Sequence, residues 1–111
     1  MELNEYQDKA QRTSNKQLSS VDHLLNGLLG LAGESGECCD LVKKNLYQDH
    51  REIATKLLDE LGDVLWYVAE TAEAIGITME EIARHNLQKL YARYPEGFDP
   101  EKSLHREAES N

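Results

Sequence analysis

Gly33-Glu-Ser-Gly-Glu37 and Glu60-Leu-Gly-Asp63 carry two pairs of carboxylates, and the stretch that contains them, Gly33 to Tyr67, decides how the chain is read. Within each pair the acids stand three residues apart, so on a helix they share a face about 60° wide. The two pairs are symmetric about a point between Gln48 and Asp49, where the chain is expected to turn. Folding two antiparallel helices there brings both pairs to one height, roughly 20 Å from the turn at 1.5 Å per residue. Glu34, Glu37, Glu60 and Asp63 then converge between the helices. Such a cluster is hard to keep ionised without a cation. Hard oxygen ligands, with no Cys or His among them, point to Mg²⁺, with Mn²⁺ as the alternative.

The rest of the composition narrows the classes. A chain of 111 residues is expected to form one domain with a modest core and to gain from oligomerisation. With one Phe and one Trp, that core must be mainly aliphatic. A net charge of −9 argues against nucleic acid or an anionic membrane as partner. It leaves an anionic small ligand open, because a bound metal inverts the local field. Cys38 and Cys39 point about 100° apart on a helix, a poor disulfide framework, and read as small thiols in a reducing compartment. The sequence opens with no charged-then-apolar leader and contains no apolar run near the ~20 residues that span a bilayer. The expectation is a soluble, cytoplasmic protein.

Periodicity predicts helices throughout. The first is expected over Asn4 to Lys16, with Asn4 as N-cap and Gln7 as its reciprocal partner. Its apolar stripe, Leu3, Tyr6, Ala10 and Thr13, is thin, so it reads as peripheral, and Ser14 to Ser20 reads as a linker. The second helix is expected from Val21 to Leu46, burying Leu24, Leu28, Leu31, Ser35, Cys38 and Val42. Gly27, Gly30, Gly33 and Gly36 lie inside it at steps of three. Each costs up to ~1 kcal/mol against alanine, which calls for close approach of a neighbouring helix or a ligand. Asp49 and Glu52 read as the cap and third position of a helix from His50 to Ile75, with core stripe Leu57, Leu61, Val64, Val68, Ala72 and Ile75. Gly76 closes it. Thr78 and Glu81 form a capping box for a last helix through Arg93, with Ile82, Ala83, Leu87, Leu90 and Tyr94 apolar. The tail from Asp99 is polar, with only Leu104 to bury, and is expected to be mobile or docked on another subunit. No stretch alternates as a strand does. The fold class is all-α, a small four-helix-type bundle.

On the helical wheel Glu60, Asp63 and Tyr67 share an arc of about 60° with Lys56 inside it, beside the leucine stripe. Glu34, Glu37 and Lys44 likewise flank the apolar face of the preceding helix. With 21 acids in the chain, either pair alone reads more readily as a solvated face. Their symmetry about the turn, the glycine beside an acid in each, and their place next to the core stripe favour a site. Asn86, Lys89 and Arg93 share one arc of the last helix, an amide and two cations suited to phosphate oxygens or to surface pairing with acids. The four histidines are scattered and imply no metal site.

Taken in order, Gly30-Leu-Ala-Gly-Glu-Ser-Gly-Glu37, Asp40-Leu-Val-Lys-Lys44 and Glu60-Leu-Gly-Asp-Val-Leu-Trp-Tyr67 resemble the MazG-like nucleotide pyrophosphohydrolases. That all-α superfamily is marked by Glu-x-x-Glu followed later by Glu-x-x-Asp. Asn86 to Phe98 is also similar to the family's C-terminal element. The resemblance covers roughly Asn26 to Phe98, and the expectation is a single domain over 1–98 with a polar tail over 99–111. It implies Mg²⁺ on Glu34, Glu37, Glu60 and Asp63, and a nucleoside triphosphate cut between its α and β phosphates. Either Glu34 or Glu37 would be the general base. Lys44, Tyr67, Asn86, Lys89 and Arg93 would contact substrate, although Tyr67 also suits a core position. Trp66 is open between packing and base stacking. A homodimer or homotetramer is expected. The nucleobase is open, since Met1 to Ser20 matches relatives loosely. Two alternatives stand beside this reading: phosphoribosyl-ATP pyrophosphohydrolase, and a non-catalytic helical oligomer with an acidic cluster.

Overall fold

A computed structural model describes residues 1–105, and among these there is no strand. The elements are α1 (Leu3–Ala10), a 3₁₀ turn (Gln11–Thr13), α2 (Ser20–Lys44), α3 (His50–Ala74), α4 (Met79–Arg93) and the short α5 (Pro100–Leu104). The chain divides into two compact units, Met1–Met79 and the residues from Glu80 onward. Residues 106–111, the end of the expected tail, lie outside the described residues.

The first unit is a helical hairpin with α1 laid against α3. Ser19 caps α2 by accepting from the Asp22 amide, and Asp49 opens α3 by accepting from the Arg51 amide, so both starts satisfy otherwise orphaned donors. Between them Lys56 clips the turn, donating to Asn45 Oδ1 and Gln48 Oε1 at 3.0 Å each. The expected turn between Gln48 and Asp49 is where the chain reverses. At the far end α3 stops in a Schellman arrangement. Gly76 takes a positive φ of 74°, and the Ile77 amide donates to the Ala72 carbonyl at 3.0 Å.

The hairpin seam is narrow. Its buried or half-buried positions recur at alternating steps of three and four: Leu24, Gly27, Leu31, Glu34, Cys38, Leu41 and Asn45 on α2, and Ile53, Leu57, Glu60, Val64, Tyr67, Thr71 and Ala74 on α3. This is the knobs-into-holes rhythm of two helices packed along their lengths. Two of the four glycines of α2 serve it. A Cβ on Gly27 would overlap the Thr71 side chain, and one on Gly30 would overlap the Tyr67 ring. A Cβ on Gly33 or Gly36 would meet no neighbouring group within 4 Å, so close helix approach does not account for those two.

Here the structure corrects the expected stripes. Leu28 and Ser35 on α2, and Leu61 and Ile75 on α3, are exposed, while Gly27, Glu34, Glu60 and Ala74 take the facing places. Each long helix has two apolar rows one residue apart. Leu24, Leu31 and Cys38 of α2 and Leu57 and Val64 of α3 keep their expected places, but the seam as a whole is turned by roughly 50–60° from the expected stripe. Glu34 and Glu60 therefore stand in the seam rather than beside it, while Glu37 and Asp63 are exposed.

The first helix is also shorter and more integral than expected. It ends at Ala10, and Glu2 rather than Asn4 holds the N-cap place, with no side-chain cap bond. Gln7 is not a local cap but a buried clip. Its Nε2 donates to Glu73 Oε2 (3.3 Å) and to the Ile77 carbonyl (3.0 Å), and its Oε1 accepts from the Met79 amide (2.6 Å). Ala10, Ala69, Ala72 and Met79 form the buried apolar core, with Tyr6, Trp66, Val68 and Ile77 packed on it. Small residues let α1 approach α3 closely. Nor is Ser14 part of a loose linker: it is buried and bonded to Glu70.

In the second unit α4 leaves Ile82, Leu87 and Leu90 exposed, contrary to the stripe expected to bury them, while Ala83 and Tyr94 are half-buried. Gly97 has a φ of 101°, and the Tyr94 and Phe98 rings lie 5.8 Å apart across that turn. Asp99 then caps α5 through the Glu101 amide, with Pro100 in the first turn, so the start of the expected tail is ordered. Leu104 is exposed.

Candidate metal centre

Antiparallel pairing brings Glu34 and Glu37 of α2 to the level of Glu60 on α3. One carboxylate oxygen from each lies within 4.8 Å of the others. Glu34 and Glu60 are half-buried in the seam and Glu37 is exposed, so the cluster has a sheltered floor and an open side. Asp63 stands outside this tight triplet. It is exposed, one turn along α3 from Glu60, yet its negative charge still reaches Glu34. Three of the four expected ligands thus come together closely, with the fourth at the flank.

The electrostatics follow from the crowding. The Glu34 carboxyl is pushed up to about 6, by burial first and then by the charges of Glu37, Asp63 and Glu60. Burial and the contact with Glu37 also raise Glu60. Cys38, one turn after Glu34 in the same seam, has its thiol raised by burial and then chiefly by Glu60. The Oε2 atoms of Glu34 and Glu60 are buried without a hydrogen-bond partner. Burying carboxylate oxygens unpaired is costly, and a divalent cation at that point would satisfy them. The donor set is all oxygen, which suits Mg²⁺ or Mn²⁺, and the residues present fit such an ion.

Beside the acids is an open hollow of about 340 Å³ lined by Glu37, Asp40, Leu41, Lys44, Asn45 and Glu60. Lys44 reaches its rim, paired with Asp40 at 2.7 Å on an exposed surface. Such a pair is weak in water and can be exchanged for a phosphate oxygen. Tyr67 is half-buried with its ring against Gly30, which gives it a packing role. Trp66 is a tether: its indole N–H donates to the Ala10 carbonyl (3.1 Å) and to Thr13 Oγ1 (2.9 Å). Its ring meets Tyr67 edge to face at 5.0 Å. Asn86, Lys89 and Arg93 lie in the second unit on α4, at the three- and four-residue spacing that shares a face.

Sequence reasoning missed Tyr6. This half-buried phenol on α1 is raised by burial and by the charge of Asp63, so α1 forms a wall near the acidic site. The one available signal was its place on the thin stripe of a helix read as peripheral.

A helical hairpin that presents three convergent carboxylates and a polar hollow has the makings of a divalent-metal site for an anionic ligand. The sequence profile of the MazG nucleotide pyrophosphohydrolase domain matches residues 23–98, and the chain belongs to that family. It is 37% identical over 82 residues to the Gene 37 protein of Mycobacterium phage L5, covering 70% of this chain and 72% of the phage protein. No solved structure matches the chain significantly. Among the described residues no helix is long and apolar enough to cross a membrane.

Proposed function

We propose that the chain is a divalent-metal-dependent nucleoside triphosphate pyrophosphohydrolase, which cleaves between the α and β phosphates to give a nucleoside monophosphate and pyrophosphate. One observation carries the reading. In a member of this family, Glu34, Glu37 and Glu60 converge within 4.8 Å, and two of their oxygens are buried without a partner. Glu34, Glu37 and Glu60 would hold Mg²⁺, with Asp63 completing the set from its flank. A bound Mg²⁺ supplies charge neutralisation at the phosphate oxygens and a more acidic water. The chain's own part is positional. Glu34 or Glu37 accepts the proton of the attacking water and aims it at the α-phosphorus. Lys44, from the rim of the hollow, exchanges Asp40 for a phosphate oxygen, and Asn86, Lys89 and Arg93 are proposed to hold the triphosphate chain. Tyr67 stiffens the seam behind the acids and keeps α2 close to α3.

We further propose that residues 1–98 work as one domain, supported by a family match that runs across both compact units, and that the protein is a homodimer or homotetramer. In an antiparallel hairpin, the residues that follow the seam positions on both helices face the same side. Leu25 and Leu28 of α2 and Leu58, Leu61 and Leu65 of α3 stand in those places, between 39% and 74% exposed. An apolar face of that kind seeks a partner, and a second copy offers the same face.

The activity is tested by a single-turnover reaction with common nucleoside triphosphates, with and without Mg²⁺, resolved by chromatography. Metal-dependent pyrophosphate and monophosphate as first products are expected. A nucleoside diphosphate with orthophosphate, or no metal-dependent turnover of any triphosphate, refutes the assignment.

A further inference from the structure

In an antiparallel hairpin the residues that precede the seam positions face one side, opposite to those that follow. On α2 these include Gly33, Glu37, Asp40 and Lys44, and on α3 Asp63 and Trp66. Three regions succeed one another along this side. Near the turn is the hollow, with Glu37, Asp40 and Lys44 on its wall. At the other end the side is covered by α1 and the segment after it, which bond Glu73, Trp66 and Glu70. Gly33 lies between the two. Gly30 meets the Tyr67 ring, so Gly33, about one turn farther on, stands level with Val64 and Asp63 across the seam. It is exposed, and a Cβ on it would meet nothing within 4 Å. A helix interior disfavours glycine more than any residue but proline, and Gly33 is in the middle of the 25 residues of α2. Among the described residues nothing accounts for that cost. A ligand pressed against the backbone would.

The acids decide which part of a ligand comes to this place. With the α-phosphorus at the carboxylates, the two halves of a nucleoside triphosphate leave it in different directions. The pyrophosphate half is anionic and suits the hollow, where Lys44 can turn from Asp40 to a phosphate oxygen. The nucleoside half then runs the other way, from the acids toward α1, and that course crosses Gly33. We propose that the sugar of the nucleotide lies on the bare α2 backbone at Gly33, whose missing side chain admits the nucleoside half of the substrate. This role rests on the pyrophosphohydrolase reading and adds to it a position that holds no metal. A second copy of the chain is the rival occupant. The exposed leucines Leu25, Leu28, Leu58, Leu61 and Leu65 follow seam positions, however, and so lie on the opposite side of the hairpin. Gly36 is exposed like Gly33, yet it stands about 60° farther from Glu37 around α2. It serves as the control.

The test compares wild type with Gly33→Ala, Gly33→Leu and Gly36→Ala. Calorimetry in Mg²⁺ measures affinity for the α,β-methylene analogues of the common nucleoside triphosphates, which resist cleavage between those phosphates. Pyrophosphate, and Mg²⁺ alone, are titrated beside them. Gly33→Ala should weaken the analogue that wild type binds best by about tenfold, and Gly33→Leu by about a hundredfold, since a methyl or isobutyl group then occupies the sugar's place. Pyrophosphate and Mg²⁺ affinities should stay within about twofold of wild type. In chelator Gly33→Ala should melt about 4 °C higher than wild type, which separates the loss of affinity from a loss of fold. Gly36→Ala should also melt higher and bind the analogue as wild type does. Unchanged analogue affinity in both Gly33 variants overturns the proposal and leaves the hydrolase reading standing. An equal loss for pyrophosphate, a lower melting temperature of Gly33→Ala, or a change of its association state in light scattering overturns it too, since each puts something other than a sugar at Gly33. A wild type that binds none of the analogues overturns it together with the hydrolase reading.

Discussion

Gly27 and Gly33 lie on one helix six residues apart, and replacing each by alanine should have opposite effects. Taken alone, alanine favours a helix interior over glycine by about 0.8–1 kcal/mol. At Gly33 nothing opposes that gain, since the new methyl meets no neighbouring group within 4 Å. At Gly27 it overlaps the Thr71 side chain and sits 3.2 Å from the Thr71 Cα and amide nitrogen, so the α3 backbone itself must retreat. Overpacking of this kind costs about 1–3 kcal/mol, leaving Gly27→Ala destabilised by up to ~2 kcal/mol. Gly30→Ala should also lose stability, because the new methyl overlaps the half-buried Tyr67 ring. For a chain of this length 1 kcal/mol moves the melting temperature by about 4 °C. Thermal and urea unfolding in excess chelator measure the series, with Gly36→Ala as a second open-space control. Mg²⁺ titrations on the same variants should show weaker binding for Gly27→Ala and Gly30→Ala, as parting the seam separates Glu34 from Glu60. Equal stabilisation of Gly27→Ala and Gly33→Ala would refute the seam register and, with it, the geometry of the acid cluster.

Proton and metal should compete at Glu34. Its carboxyl stands at about 6 in the folded chain against 4.5 ordinarily, so the folded state holds the extra proton across that window. Metal-free stability should therefore fall as pH rises from 4.5 to about 6 and stay low above it; melting in chelator should show the fall, and Glu34→Gln should flatten it. Apparent Mg²⁺ affinity, followed by calorimetry, should weaken as pH drops below about 6. Trp66→Phe removes two hydrogen bonds that tie Ala10 and Thr13 to α3 and should cost about 1–2 kcal/mol; an unchanged urea midpoint would deny the tether. Lys89→Ala and Arg93→Ala should each weaken triphosphate binding about ten- to a hundredfold with helicity intact, and unchanged affinity in both would return them to surface pairing.

The helical class, the reversal near Gln48, the caps at Asp49 and Gly76 and the two acid pairs were legible because each depends on local chemistry or simple symmetry. The seam register was not. Leu28 and Leu61 look like core to any hydrophobicity argument, while Gly27, Glu34 and Glu60 do not, yet the latter face the partner helix. Sequence shows how many apolar rows a helix carries but not which neighbour each row meets. The same blindness hid Gln7, Ser14 and Glu70. A polar residue that reads as surface can be buried when its partner lies 56 to 72 residues away, as with Ser14 to Glu70 and Gln7 to Met79.

The placement of the acids explains why the seam interrupts its large apolar groups, Leu24, Leu31, Leu41, Ile53, Leu57 and Val64, with small ones. A carboxylate triplet between two helices needs the backbones close enough for oxygens on both sides to meet, and glycine, alanine and threonine at Gly27, Gly30, Thr71 and Ala74 permit that approach. Small residues bury little area of their own, so contacts outside the seam add to the hairpin's stability. One such contact lies within the chain. Along its C-terminal half α3 is covered by α1 through Ala69, Ala72, Trp66 and the Gln7 clip. Nearer its N-terminus and middle, Leu58, Leu61 and Leu65 are exposed in the single chain. If a second copy covers them, the acid cluster sits under that interface, and dissociation should loosen the very turns that carry Glu60 and Asp63. Leu58→Glu with Leu65→Lys should then lower both the association state and the Mg²⁺ affinity, read by light scattering and calorimetry on the same sample. A monomer that binds Mg²⁺ as tightly as wild type would show that the hairpin holds its acids together without help.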